Sequence, residues 1–140
     1  MLALLAASTI ARPASAQGIP EAPAGAPTSL VGDWQGTSTC RPVGKPACHD
    51  EVVVYHFRPD SAAPPATAAV ERLEWTLNKI VAGAEENMGV LPCTYARRTG
   101  EASCPMRGWR WHFVARGDSL VGRLENPRGV AWRDIRVRRR

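Results

Sequence analysis

Ser119 and His112 are the side chains whose types could do nucleophilic chemistry, the serine attacking an ester and the histidine taking its proton. They lie on neighbouring apolar runs, "GWRWHFVAR" (108–116) and "SLVGRLEN" (119–126), joined by Gly117-Asp118. A hydroxyl without a base in reach is a poor nucleophile, and no glycine-rich oxyanion loop or helix start accompanies this pair. Glycine and aspartate are what a tight hairpin loop demands, because glycine supplies the positive φ of the primed turns. The segment is read as a turn, and no catalytic residue is assigned.

The same stretch spells two known motifs. Gly117-Asp118-Ser119-Leu120 matches the nucleophile block of the GDSL hydrolases, but that block follows the first strand of an α/β sheet and its histidine lies downstream, whereas His112 precedes Ser119. Arg116-Gly117-Asp118 matches the integrin-binding tripeptide, and three residues recur too often by chance to carry weight. Glu85 and Glu86 are adjacent, so on a strand they face opposite ways and make no catalytic pair. His49, His56 and His112 share no ligand spacing, and there is no glycine-rich phosphate loop. No metal and no cofactor are expected.

Four cysteines remain, at 40, 48, 93 and 104. Structural zinc usually takes its cysteines in pairs two to four residues apart, and these gaps are wider even with His49 beside Cys48. Two disulfides are the simpler use, with three possible connectivities. Sequential pairing, Cys40 with Cys48 and Cys93 with Cys104, would close two loops rich in turn residues, Arg41 to Ala47 and Arg97 to Ser103. In the chain-entropy model each such loop contributes roughly 2 to 3 kcal/mol.

Disulfides imply an oxidising compartment, and the N-terminus supplies a route to one. Residues 1–16 combine the apolar run "LALLAASTIA" with a small-residue "ASA" site, which reads as a signal peptide cut before Gln17. The run is too short to cross a hydrocarbon layer that needs roughly 20 apolar residues. A secreted or periplasmic protein without a membrane span is expected. Residues 17–29, "QGIPEAPAGAPTS", are proline-rich and read as a flexible leader. The whole chain carries a formal charge of +5, and ten of its arginines fall within 107–140. Exposed aromatics do not interleave with those bases, which argues against a nucleic-acid platform.

From Leu30 to Arg140 short alternating runs are separated by Gly, Pro, Asn and Asp, the pattern of an antiparallel all-β domain. The runs are 30–40, 51–58, 71–83, 88–96, 108–116, 119–126 and 130–138. In the fifth, Trp109, Trp111, Phe113 and Ala115 share one face and Arg110, His112, Val114 and Arg116 the other. The third could begin as a short helix with Val70, Leu73 and Leu77 on one side, but Leu73, Trp75 and Leu77 also alternate and it is assigned as a strand. In the last, Val130 and Trp132 are out of phase with Ile135 and Val137, so a bulge near Arg133-Asp134 is expected. About eight strands suit a small up-and-down barrel, which leaves no exposed edge.

The Gly32-Asp33-Trp34 tripeptide on the first strand, with Arg133 and Arg136 on the last, resembles the lipocalins and the wider calycin group. That resemblance implies a barrel plugged at one end by Trp34 with Arg133 or Arg136 across its ring, and a secreted carrier of a small apolar molecule. The acidic and aromatic pair of the middle lipocalin signature is absent. The expected function is non-enzymatic: a monomeric exported barrel binding a small apolar ligand among Trp75, Trp109, Trp111 and Phe113, or serving as an envelope accessory protein. The alternative is an inhibitor of a secreted protease or lysozyme, presenting one of the stapled loops.

Overall fold

Alternation of inward apolar and outward polar side chains drives the chain into eight antiparallel strands in the computed structural model, which describes residues 25–140. They are β1 (Gly32–Cys40), β2 (Glu51–Pro59), β3 (Val70–Val81), β4 (Ala84–Ala96), β5 (Glu101–Met106), β6 (Trp109–Arg116), β7 (Ser119–Glu125) and β8 (Ala131–Arg139). Each pairs with the next, and β8 returns to β1, so the sheet closes into an up-and-down barrel. Residues 1–16, expected to be a signal peptide, and residues 17–24 of the expected leader lie outside the described residues.

The third run, with its alternative helical start, is strand from Val70 to Val81, and its last two residues, Ala82 and Gly83, form the turn to β4. One strand, β5, was not among the expected runs, because its first half falls in the segment expected to be a stapled loop; only the turn from Arg97 to Gly100 separates it from β4. The expected bulge in the last strand sits one residue early. Leu124 pairs with Arg133 and Glu125 with Ala131, leaving Trp132 as the extra residue. Beyond it Arg133, Ile135, Val137 and Arg139 alternate onto one inward face, while Val130, ahead of the strand, stays exposed.

Tight turns match the sequence chemistry. Ala82-Gly83, Arg107-Gly108 and Gly117 all have positive φ at two-residue hairpin connections. Arg116 pairs with Ser119 across the last of these, so the "RGDS" stretch is a turn.

The core is a single cluster along the barrel axis, with Trp34, Tyr55, Phe57, Leu73, Trp75, Tyr95, Phe113 and Leu120 fully or almost fully buried. Its aromatic centre is ordered by ring contacts: Trp75 stacks on Phe57 at 5.7 Å and meets Tyr55, Trp111 and Phe113 edge-on at 4.9 to 5.5 Å. Two disulfides, Cys40–Cys48 and Cys93–Cys104, complete the frame in the expected pairing, with no free cysteine. No described helix is long and apolar enough to cross a membrane.

Candidate functional site: the open end of the barrel

Every strand contributes to two ends, and the ends differ. At one end Trp34 is fully buried, and its indole N–H donates to the Leu30 carbonyl at 3.0 Å. Residues before β1 cover it: Glu71 of β3, buried and charged, accepts from the Ser29 hydroxyl at 2.6 Å and the Leu30 amide at 3.0 Å. Residues 25–29, part of the proline-rich leader, are held here too, through the Gly25 carbonyl to Gly117 and the Pro27 carbonyl to the Tyr95 hydroxyl.

The cation over Trp34 is Arg139, its guanidinium 4.3 Å from the ring centroid. Arg139 also donates to the Val31 and Ser29 carbonyls at 2.7 and 3.0 Å. This corrects the expected partners. Arg136 is exposed on the outer face, and Arg133 lies near the other end, because the β1–β8 register sets Trp34 opposite Arg139 and Cys40 opposite Arg133.

At that other end the interior is not filled. A cavity of about 270 Å³ opens there, walled by Val53, Leu77, Met88, Leu91, Trp111 and Leu124. Tyr55 forms part of its lining, and burial pushes the pKa of that phenol up. Polar groups are confined to one side. Arg133 donates to Ser38 Oγ at 2.8 Å, to the His49 carbonyl at 2.6 Å and to Glu51 Oε2 at 3.0 Å. Glu51 therefore compensates the guanidinium charge, and the cavity presents apolar walls beside a neutral ion pair.

Of the aromatic residues expected to meet a ligand, Trp111 lines the cavity. Trp75 and Phe113 are fully buried in the packed core, and Trp109 faces a separate cleft where its ring meets Trp132 at 5.5 Å. Ser119 is not brought to His112. The hairpin pairs Ser119 with Arg116 and Arg123 with His112, so the two lie four residues apart along the strands, about 13 Å. The Arg41 to Ala47 loop is stapled at its base as expected and carries exposed Val43. Cys93 and Cys104 are both buried and bridge the facing strands β4 and β5, so that disulfide belongs to the barrel wall.

One cluster escaped the sequence reading. His56 on β2 makes two 2.8 Å contacts, Nδ1 to Asp33 of β1 and Nε2 to Glu85 of β4. Arg58 adds a 2.6 Å bond to Asp33, Asn78 one of 2.7 Å to Glu85, and Arg140 reaches Glu85 at 3.3 Å. Partial burial works against charge on His56, but its bonds to both carboxylates outweigh this and raise its pKa. Asp33 is lowered chiefly by its hydrogen bond from His56 and then that from Arg58; Glu85 is lowered chiefly by His56 and then by Asn78. These residues are scattered over more than a hundred positions, and only the barrel register assembles them. Among the described residues no group of histidine, cysteine or carboxylate side chains is arranged to hold a metal ion.

Comparison with protein-family models, with curated proteins and with solved structures returns no match.

Proposed function

We propose that this protein is an exported carrier that binds one small apolar molecule in the open end of a lipocalin-like barrel. The observation that carries the reading is the asymmetry of the interior: one end is sealed by Trp34, Leu30 and Arg139, and the other keeps a cavity of about 270 Å³ with apolar walls. Concave, mostly apolar pockets with a few fixed polar groups are where small ligands bind. The volume suits a ligand of modest size, since drug-sized pockets run from roughly 300 to 1,000 Å³. Charge balance within the Arg133–Glu51 pair favours a neutral ligand over a fatty-acid anion. Two disulfides and the apolar N-terminal run support export to an oxidising compartment.

The test is titration with a hydrophobic fluorophore, followed through quenching of tryptophan emission. One molecule should bind per chain. Trp111→Ala should weaken binding about tenfold, roughly the 1.4 kcal/mol of lost wall contact, while near-UV circular dichroism stays native. Saturable binding unaffected by Trp111→Ala and by the cavity-filling Leu91→Trp would place the fluorophore elsewhere and end this reading.

A second reading is favoured by Val43, 52% exposed on the Cys40–Cys48 loop. A preordered loop with a protruding apolar side chain suits insertion into a hydrolase cleft, because the ordering cost is already met. Inhibition of a lysozyme or secreted protease, abolished by Val43→Asp, would support it.

A further inference from the structure

A second cleft adjoins the cavity and shares Glu51, Leu124 and Arg133 with it. Its walls are Trp109 and Trp132 on one side and Ala47, Cys48 and His49 of the stapled segment on the other. The cleft is built by specific departures from regular structure. Trp132 is the bulged residue of β8, and bulges commonly re-aim a side chain next to a site. The disulfide fixes the opposite wall, and the Trp132 carbonyl accepts the Arg41 amide at 2.9 Å.

Two polar features of this cleft are unused by the fold. The Trp132 indole N–H is buried and has no acceptor among the described residues, an arrangement that costs about 1 to 3 kcal/mol unless something supplies one. Glu51 binds Arg133 through Oε2, and no hydrogen bond from the described residues engages its Oε1. The cleft thus offers two indole rings and one free carboxylate oxygen over a floor whose charge is already balanced, and behind its wall one donor that a ligand reaches only by displacing the Trp132 ring. An anion gains nothing from a neutralised guanidinium, and an apolar chain leaves donor and acceptor unmet. A neutral ring with C–H faces and hydroxyls at its edge satisfies all three: the faces lie on indole, one hydroxyl oxygen accepts from Trp132 and another hydroxyl donates to Glu51. Because that N–H has no exposed surface, the Trp132 ring must shift for a hydroxyl to reach it.

We propose that the cavity and this cleft form one site for a neutral glycosylated amphiphile, with its sugar ring between Trp132 and the stapled loop and its alkyl chain in the barrel. The chain half rests on the carrier reading above, and the sugar half stands on the cleft alone.

The test compares octyl β-glucopyranoside, below its micelle-forming concentration, with 1-octanol and with octanoate, by titration calorimetry. The glucoside should bind about tenfold tighter than the alcohol, and octanoate no tighter than the alcohol. Trp132→Phe, which keeps a ring and removes the N–H, should erase the difference between glucoside and alcohol. Trp109→Leu, beside Trp132 on the same wall, provides the same readout should Trp132→Phe fail to fold. Octanol binding with no advantage for the glucoside overturns the sugar subsite and leaves the carrier standing. Binding of neither overturns both. A glucoside advantage that survives both substitutions overturns the placement of the sugar in this cleft.

Discussion

Arg139 is the clearest case of one residue holding an end of the barrel. Its guanidinium covers a fully buried indole and donates to two carbonyls of the segment before β1. Hydrogen bonds from charged groups contribute roughly 1.5 to 3 kcal/mol each, and desolvated cation–π contacts about 2, so Arg139→Ala should cost roughly 2 to 4 kcal/mol after allowing for partial exposure. Arg136→Ala, on the outer face without an ion pair among the described residues, should change stability by less than about 0.5 kcal/mol. Urea denaturation of the two variants checks the pair, and equal losses would refute the plug. Trp34 and a late arginine were legible in the sequence as partners, but which arginine was not. Alternation excludes Arg136 once Ile135 and Val137 point inward, yet Arg133 and Arg139 share a face. Register alone separates them. Gly36 is equally specific: a Cβ there would lie 2.0 Å from the Arg136 carbonyl oxygen and 2.7 Å from the Val137 Cα. Both obstacles are backbone, so Gly36→Ala should force β1 and β8 apart and destabilise by at least about 3 kcal/mol, read as a lower urea midpoint.

The β3–β4 hairpin shows what an element adds to its residues. Glu85 on β4 touches His56 on β2, two strands away, and neighbouring strands lie about 4.8 Å apart. The contact requires the hairpin end to bend back across the outside of β2, beyond the irregularity between Leu77 and Asn78. The same crossing accounts for Val54, which faces outward by alternation and is nonetheless fully buried. Met88 and Gly89, beside the irregularity, line the cavity, so the latch and the cavity wall share a strand. Its pH dependence has a definite sign. His56 has a raised folded pKa, so its stabilisation is complete below the ordinary value of about 6.5 and is lost as pH rises through the raised value. Asp33 and Glu85 are lowered, so theirs is present above the ordinary carboxylate range of about 4 and is lost as pH falls. The latch should be firmest between these limits, on the acid side of neutrality. Thermal unfolding from pH 5 to 8 should show a melting temperature that declines by a few degrees for the native chain and stays flatter for His56→Gln; parallel profiles would dissociate His56 from the effect. None of this was legible locally, because isolated histidines and an adjacent Glu-Glu pair carry no spacing signal. Strand alternation was strong enough to give seven of the strands, whereas β5 is six residues long and interrupted by Cys104 and Pro105.

At the scale of the molecule, closure has a weakest seam. Most neighbouring strands pair through six or more registered positions, but β4 and β5 share only Thr94–Ser103, Tyr95–Ala102 and Ala96–Glu101. Pro92 and Pro105 flank the point where pairing stops, and proline cannot donate to a ladder. A surface depression lined by both prolines lies over that point. The Cys93–Cys104 disulfide sits at the end of the short ladder, covalently joining the two strands where hydrogen bonds cease. The Cys40–Cys48 bridge instead closes a loop beside the cavity mouth, from the last residue of β1 to a residue ahead of β2, and joins no two paired strands. Loop entropy treats the two alike, since they close comparable lengths and each contributes roughly 2 to 3 kcal/mol. Their mechanical roles differ. Replacing Cys93 and Cys104 together by alanine should speed amide exchange along β5 and the facing residues of β6, because those hydrogen bonds open when the seam opens. Replacing Cys40 and Cys48 should leave β5 exchange unchanged and weaken the proposed binding of octyl β-glucopyranoside in the cleft beside the cavity, whose wall includes residues 47–49. Hydrogen exchange on both double variants decides the matter: equal protection of β5 in the two would mean that the barrel closes without its staple.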